Sequence, residues 1–157
     1  MPVIDIYAAA GLLPADVHGT LLSDAAHALM RWGKAPAVSP YLENTGAYLH
    51  ELPGVAVRTA EGADPGTVRV QVLTPPGALD REAQRGLVAE LTRLVADAVG
   101  DPDQARRTWV LLTEAAEGGW GVAGVALGRA EFAAVRGASA QLEPNATALR
   151  PLEARQP

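Results

Sequence analysis

An α+β fold, with tandem β-α-β units forming a four-stranded sheet and two helices on one face, is what this 157-residue sequence predicts. Three observations carry it. Apolar residues alternate along short strand-like runs and then recur at helical spacing, and this change of period happens twice. The two halves echo each other at an offset that carries Pro2 onto Val68. At 48% hydrophobic and 20% charged residues, the composition is that of one compact globular unit.

Val3-Ile4-Asp5-Ile6-Tyr7, directly behind Pro2, reads as the first strand and Gly11 as its turn. A helix is predicted over residues 14–32, with Pro14 in its first turn, Asp16 complementing its dipole and Gly33 at its stop. Val17, Leu21, Ala25 and Leu29 form its buried stripe. A second strand follows over residues 47–52. Val55-Ala56-Val57-Arg58 reads as a short hairpin strand, and residues 61–66 as the linker between halves. The second copy opens on Val68-Arg69-Val70-Gln71-Val72-Leu73 and turns at Gly77. Its helix is predicted over residues 80–99, capped by Asp80, striped by Leu87, Leu91, Leu94, Val95 and Ala98, and ended by Gly100 and Pro102. A strand over residues 108–113 completes it, and Trp120-Gly121-Val122-Ala123 reads as another hairpin strand. Periodicity ends after Gly137. The expected organisation is one domain over residues 1–137, with copies at 2–60 and 67–135, and a tail or arm over residues 138–157.

A right-handed crossover lays the two strands of each unit parallel with the helix on one face. Both helices then cover the same face of the sheet, and a further subunit is expected on the other. Net charge is −5 without a block of Lys or Arg, which argues against nucleic acid as a partner. The chain has no cysteine, and its three histidines are scattered, so neither a metal nor another cofactor is expected. No apolar run is long enough to span a membrane, and a cytoplasmic location is the default expectation.

Pro2 is the most informative residue. A small side chain behind Met1 favours removal of the initiator, which would leave proline as the amino terminus. A free α-amino group has a pKa of about 7.7–8.0 and falls further in an apolar pocket, so such an amine is a general base near neutral pH.

Pro2, the duplicated β-α-β unit and the Trp-Gly-x-x-Gly hairpin together resemble the tautomerase superfamily, the family of 4-oxalocrotonate tautomerase. The most specific stretch runs from Thr108-Trp109-Val110-Leu111-Leu112 to Trp120-Gly121-Val122-Ala123-Gly124, similar to that family's second strand and hairpin. The length is similar to fused members that carry two copies and assemble as trimers. Gly128-Arg129-Ala130-Glu131-Phe132 and Asp24-Ala25-Ala26-His27 resemble the malonate semialdehyde decarboxylase branch. The resemblance implies that Pro2 is the catalytic base or acid and that Trp120 walls its pocket. Val68 stands at the second copy's counterpart of Pro2, so one site per chain is implied.

The departures narrow the substrate. The family's arginines bind the substrate carboxylate, yet their places hold Leu12, then Pro75, Pro76 and Ala78, and Trp109, none of which can pair with a carboxylate. Ser39 lies near the decarboxylase branch's acidic residue, and Leu111 and Trp120 near the dehalogenases' tyrosine and glutamate, which disfavours hydrolytic dehalogenation. Arg58, Arg69, Arg106 and Arg107 are the candidate replacement cations. Tyr7, Tyr48 and His50 are candidate hydrogen-bond donors, with Tyr48 and His50 alternating to one face of a strand. His27 has only its decarboxylase-like context to recommend it. The reading is a cofactor-independent tautomerase that uses Pro2 on an enolisable carbonyl compound other than a small dicarboxylate, as a homotrimer. Pro2-dependent decarboxylation, conjugate addition or cyclisation is the alternative. A non-catalytic trimeric binding protein follows if Met1 is retained, because Pro2 nitrogen is then an amide.

Overall fold

The computed structural model describes residues 2–39, 41–135 and 137–138. Met1 and most of the expected tail lie outside the described residues. In chain order the elements are β1 (Val3–Ala9), α1 (His18–Trp32), α2 (Tyr41–Asn44), β2 (Gly46–Leu52), β3 (Arg58–Thr59) and β4 (Gly62–Ala63). The second half supplies β5 (Val68–Thr74), α3 (Arg81–Val99), β6 (Thr108–Glu114), β7 (Trp120–Val122) and β8 (Val125–Leu127). A helical stretch follows over residues 129–135.

The four long strands form one sheet in the order β2-β1-β5-β6. Within each copy the pairing is parallel, Tyr7 opposite His50 and Arg69 opposite Trp109. Between copies it is antiparallel, Val3 opposite Leu73 and Tyr7 opposite Arg69. Two like units thus meet head to tail at the β1–β5 seam. Alternation along these strands sends Ile4, Ile6 and Ala8 of β1 and Val68, Val70 and Val72 of β5 to one face, all of them buried. Leu21, Ala25 and Leu29 of α1 and Leu87, Leu91 and Val95 of α3 close over them, so both helices cover the same face.

The helix ends show how local chemistry sets the boundaries. The Asp80 carboxylate accepts from the Ala83 amide at 2.8 Å and starts α3. Gly100, at φ 77°, ends it in the left-handed conformation that favours glycine. The first helix starts later than its pattern predicts: residues Ala15–Val17 form a 3-10 turn, and α1 begins at His18. His18 Nε2 lies 3.0 Å from the Leu13 carbonyl, tying this entry to a buried leucine. At the other end Gly33 stops α1, but the left-handed residue is Lys34, at φ 52°. Its amide donates to Arg31 and that of Ala35 to Met30, so the last carbonyls are satisfied in a Schellman turn. The two helices approach closely at Gly86, where an added Cβ would lie 2.1 Å from the Trp32 ring. Trp32 Nε1 donates to Glu90 at 2.8 Å, and Arg31 pairs with the same carboxylate.

The segment between the copies departs from the expected strand and linker. Residues Gly54–Ala56 are a 3-10 turn, and only Arg58–Thr59 of this stretch pairs as a strand. Pro53 supplies the carbonyl that the Ala56 amide caps at 2.8 Å, which coils the chain where valines alone suggest a strand. Part of the expected linker, Gly62–Ala63, is the partner strand β4. Asp64 then accepts from Thr67 Oγ1 at 2.9 Å and from the Gly66 amide at 3.2 Å, and pairs with Arg107.

The face of the sheet away from the helices carries Asp5 and Tyr7, Tyr48 and His50, Arg69 and Gln71, and Trp109 and Leu111. Tyr48, Trp109 and Leu111 remain 55%, 50% and 44% exposed.

Candidate active site

Pro2 alternates with Val3 and therefore lies on the same side as Ile4, the helix side of the sheet. Its carbonyl accepts from the Gly46 amide at 3.2 Å, which fixes the start of β1 against β2. Topology decides what surrounds it. In a β-α-β unit the helix runs back, so the end of α1 returns to the start of β1. Because β5 is antiparallel to β1, its end arrives at the same place. Pro2 consequently opens into a cavity of about 60 Å³, lined by Leu29, Gly33 and Ala35 from the end of α1, Thr74, Pro75, Ala78 and Leu79 from the end of β5 and its turn, Tyr41 of α2, and Phe132.

Among the described residues this lining contains no charged side chain. Lys34 and Asp80, each next in sequence to lining residues, pair with one another at 3.0 Å. Asp80 is held below the usual carboxylate range, first by the Ala83 amide and then by Lys34. One polar atom stands out. The Tyr41 hydroxyl is closed off from water and meets no hydrogen-bond partner among the described residues. Leaving a buried hydroxyl unpaired costs about 1–3 kcal/mol, so its presence here calls for a reason. Phe132 is buried on the helical stretch at 129–135, whose start is held by Glu131 accepting from the Gly128 amide at 2.8 Å and by Glu117 accepting from the Arg129 amide at 2.8 Å. Hydrogen bonds from the amides of Glu131 itself and Gly128 keep the Glu131 carboxyl below its ordinary range.

The other residues singled out from the sequence lie elsewhere. His50, Tyr7, Arg69 and Trp109 form one row across the four strands on the open face. His50 Nε2 lies 2.6 Å from Asp5, its ring stacks on Tyr7 at 4.4 Å, and the Arg69 guanidinium sits 4.2 Å above the Tyr7 ring. Arg58 joins Arg69, Tyr7 and Trp109 in a shallow cleft on that side. Tyr48 and His50 share a face as expected, but it is the face turned away from Pro2. Within one chain, therefore, none of Tyr48, His50, Arg69 and Trp109 lines the Pro2 cavity. Trp120 does not line it either. It pairs with Leu127 across the β7–β8 hairpin and, being 9% exposed, has little surface left to offer another site.

Arg107 is engaged by Asp64, and Arg106 lies 4.0 Å from Asp103. Ser39 donates to Glu43 at 2.6 Å, and His27 Nδ1 lies 2.8 Å from the Ser23 carbonyl on the exposed side of α1. Tyr41 was not legible as a site residue. Its only sequence signal is a lone aromatic between the first helix and the second strand. Phe132, the chain's one phenylalanine, stands in the stretch that resembles the decarboxylase branch.

The family of tautomerase enzymes matches residues 67–130. No curated protein matches the sequence. Among solved structures, a fused 4-OT described as an asymmetric trimer is similar at 18% identity and TM-score 0.69, covering 85% of this chain and 99% of its own. Pt0534 inactivated by 2-oxo-3-pentynoate is similar at 24% identity and TM-score 0.68, covering 83% and 98%. N1, a member of the cis-3-chloroacrylic acid dehalogenase family, is similar at 19% identity and TM-score 0.64, covering 95% and 92%. Residues 67–130 thus match the tautomerase family, and the chain as a whole carries the fold of the fused 4-OT structures across the sheet and both helices.

Proposed function

We propose that the chain is a cofactor-independent tautomerase in which the Pro2 amine, freed by removal of Met1, moves a proton on an enolisable carbonyl compound. The observation that carries this is the setting of Pro2: the start of β1 opens into an apolar cavity with no charged side chain among the described residues of its lining. Such surroundings disfavour the ammonium form and keep the nitrogen basic near neutral pH. The amine takes a proton from the carbon next to the carbonyl, the electron pair moves onto oxygen as an enolate, and the ammonium returns the proton at another atom of the same substrate. Nothing is consumed. A small dicarboxylate meets no cation among the described residues of this lining, so a less anionic compound suits it better.

The active molecule is a homotrimer on this reading. Tyr48, Trp109 and Leu111 expose apolar surface on the sheet face that no helix covers among the described residues, and a fused 4-OT of the same fold is described as a trimer.

Intact-mass measurement tests the amine. Loss of Met1, followed by stoichiometric addition of a neutral ynone, the uncharged counterpart of the 2-oxo-3-pentynoate that inactivates the similar Pt0534, is the expected result. A variant with an uncleaved residue placed ahead of Pro2 should neither react nor turn over. Retention of Met1 in the wild-type protein would instead make this a binding protein, since an amide nitrogen is neither basic nor nucleophilic.

A further inference from the structure

We propose that Tyr41 is a catalytic residue, its hydroxyl donating to the carbonyl oxygen of a neutral ketone or aldehyde whose α-proton Pro2 removes; this rests on the assignment of Pro2 as the base.

Tyr41 and Pro2 line the same cavity. The backbone around Tyr41 is fully engaged: its amide donates to Val38 at 2.8 Å, and its carbonyl accepts from Thr45 Oγ1 at 2.9 Å. Only the phenol is left without a partner among the described residues. A phenylalanine would pack there without stranding a hydroxyl, so the oxygen has a use that the empty pocket does not show. A phenol offers an O–H donor and a buried secondary amine a base, so the two groups divide the work that the reaction needs.

The chemistry is one of division. Pro2 nitrogen accepts the α-proton, the carbon–carbon double bond forms, and the carbonyl electron pair settles on oxygen. The Tyr41 O–H strengthens its hydrogen bond as that charge grows and keeps its own proton, so the ammonium alone returns a proton to the substrate. Since α2 buries no residue in the core, its single turn can yield to bring the phenol toward an entering ligand. Leu29, Leu79 and Phe132 receive the apolar body. A carboxylate on that body would be desolvated against them without a partner among the described residues, which selects the uncharged compound.

Deuterium uptake at the α-carbon, followed by proton NMR in deuterated buffer, compares neutral phenylacetone with anionic phenylpyruvate. The wild-type protein should accelerate exchange of phenylacetone over buffer more than that of phenylpyruvate. Tyr41→Phe should lower its kcat on the order of 10²-fold, with KM little changed and a Tm equal to or above wild type. A Tyr41→Phe protein that keeps its rate, or that loses stability together with rate, overturns the role of Tyr41. Stronger acceleration of phenylpyruvate, or of neither ketone, overturns the substrate class. Pro2→Ala separates the two assignments: if it keeps its rate while Tyr41→Phe loses it, the base is wrong and the donor stands.

Discussion

At the scale of single residues, activity is predicted to rest on Pro2 while the fold does not. Pro2→Ala leaves a primary amine on a freer backbone. It should lose most of the turnover yet unfold at nearly the wild-type temperature, as activity and thermal melts would show together. Reading the sequence singled out Pro2 because its position directly behind Met1 would give proline the chemistry of a free amine. It could not find Tyr41, which belongs to no periodic stripe and no spaced motif. Nor could it place Tyr48 and His50 relative to Pro2. Alternation put them on the same side as each other, but their side relative to Pro2 depends on the register that sets Tyr48 against Asp5. A one-residue slip would have reversed it.

At the scale of elements, the helix pair and its caps make two predictions. Gly86→Ala places a methyl group where the Trp32 ring lies and should destabilise the protein by about 1–3 kcal/mol in denaturant melts, by overpacking. Trp32 neighbours Gly33, so some loss of activity should accompany it. Asp80 gives a pH dependence. Its folded pKa is lowered, so its contribution is present above the ordinary carboxylate value and is lost as pH falls through the folded one. Asp80→Asn keeps an oxygen for the Ala83 amide but no charge for Lys34. Its Tm should be lower than wild type at pH 7, and the difference should close on acidification into the carboxylate range. A constant difference would mean that the charge has no part in the cap. The long strands and α3 were legible because alternation, Asp80 and Gly100 all agree there. The stretch from Pro53 to Thr67 was not, because Pro53 and Asp64 impose turns that a run of valines conceals.

For the whole molecule, the open sheet face is where assembly is expected. Light scattering should give three copies per particle. Replacing Trp109 and Leu111 together by glutamate should yield monomers that keep their helical circular dichroism. A wild-type protein that runs as a monomer at micromolar concentration would leave that face uncovered and sink the trimer. The two-copy plan was legible because the copies repeat in order along the chain, and only the second opens on Val68 in place of proline. What the sequence could not convey is that antiparallel pairing of β1 with β5 brings the end of the second copy's first strand to Pro2. Thr74, Pro75, Ala78 and Leu79 thereby line one cavity with Pro2 of the other copy.

The central claim is that the Pro2 amine is the base, and a nitrogen-15 NMR titration of proline-labelled protein, run beside the pH profile of α-proton exchange, tests it most directly. The Pro2 signal should titrate as a free secondary amine with a pKa at or below about 8, and kcat/KM should rise through the same value. A Pro2 nitrogen that shows amide character and does not titrate, in a protein that still catalyses exchange, would contradict the account.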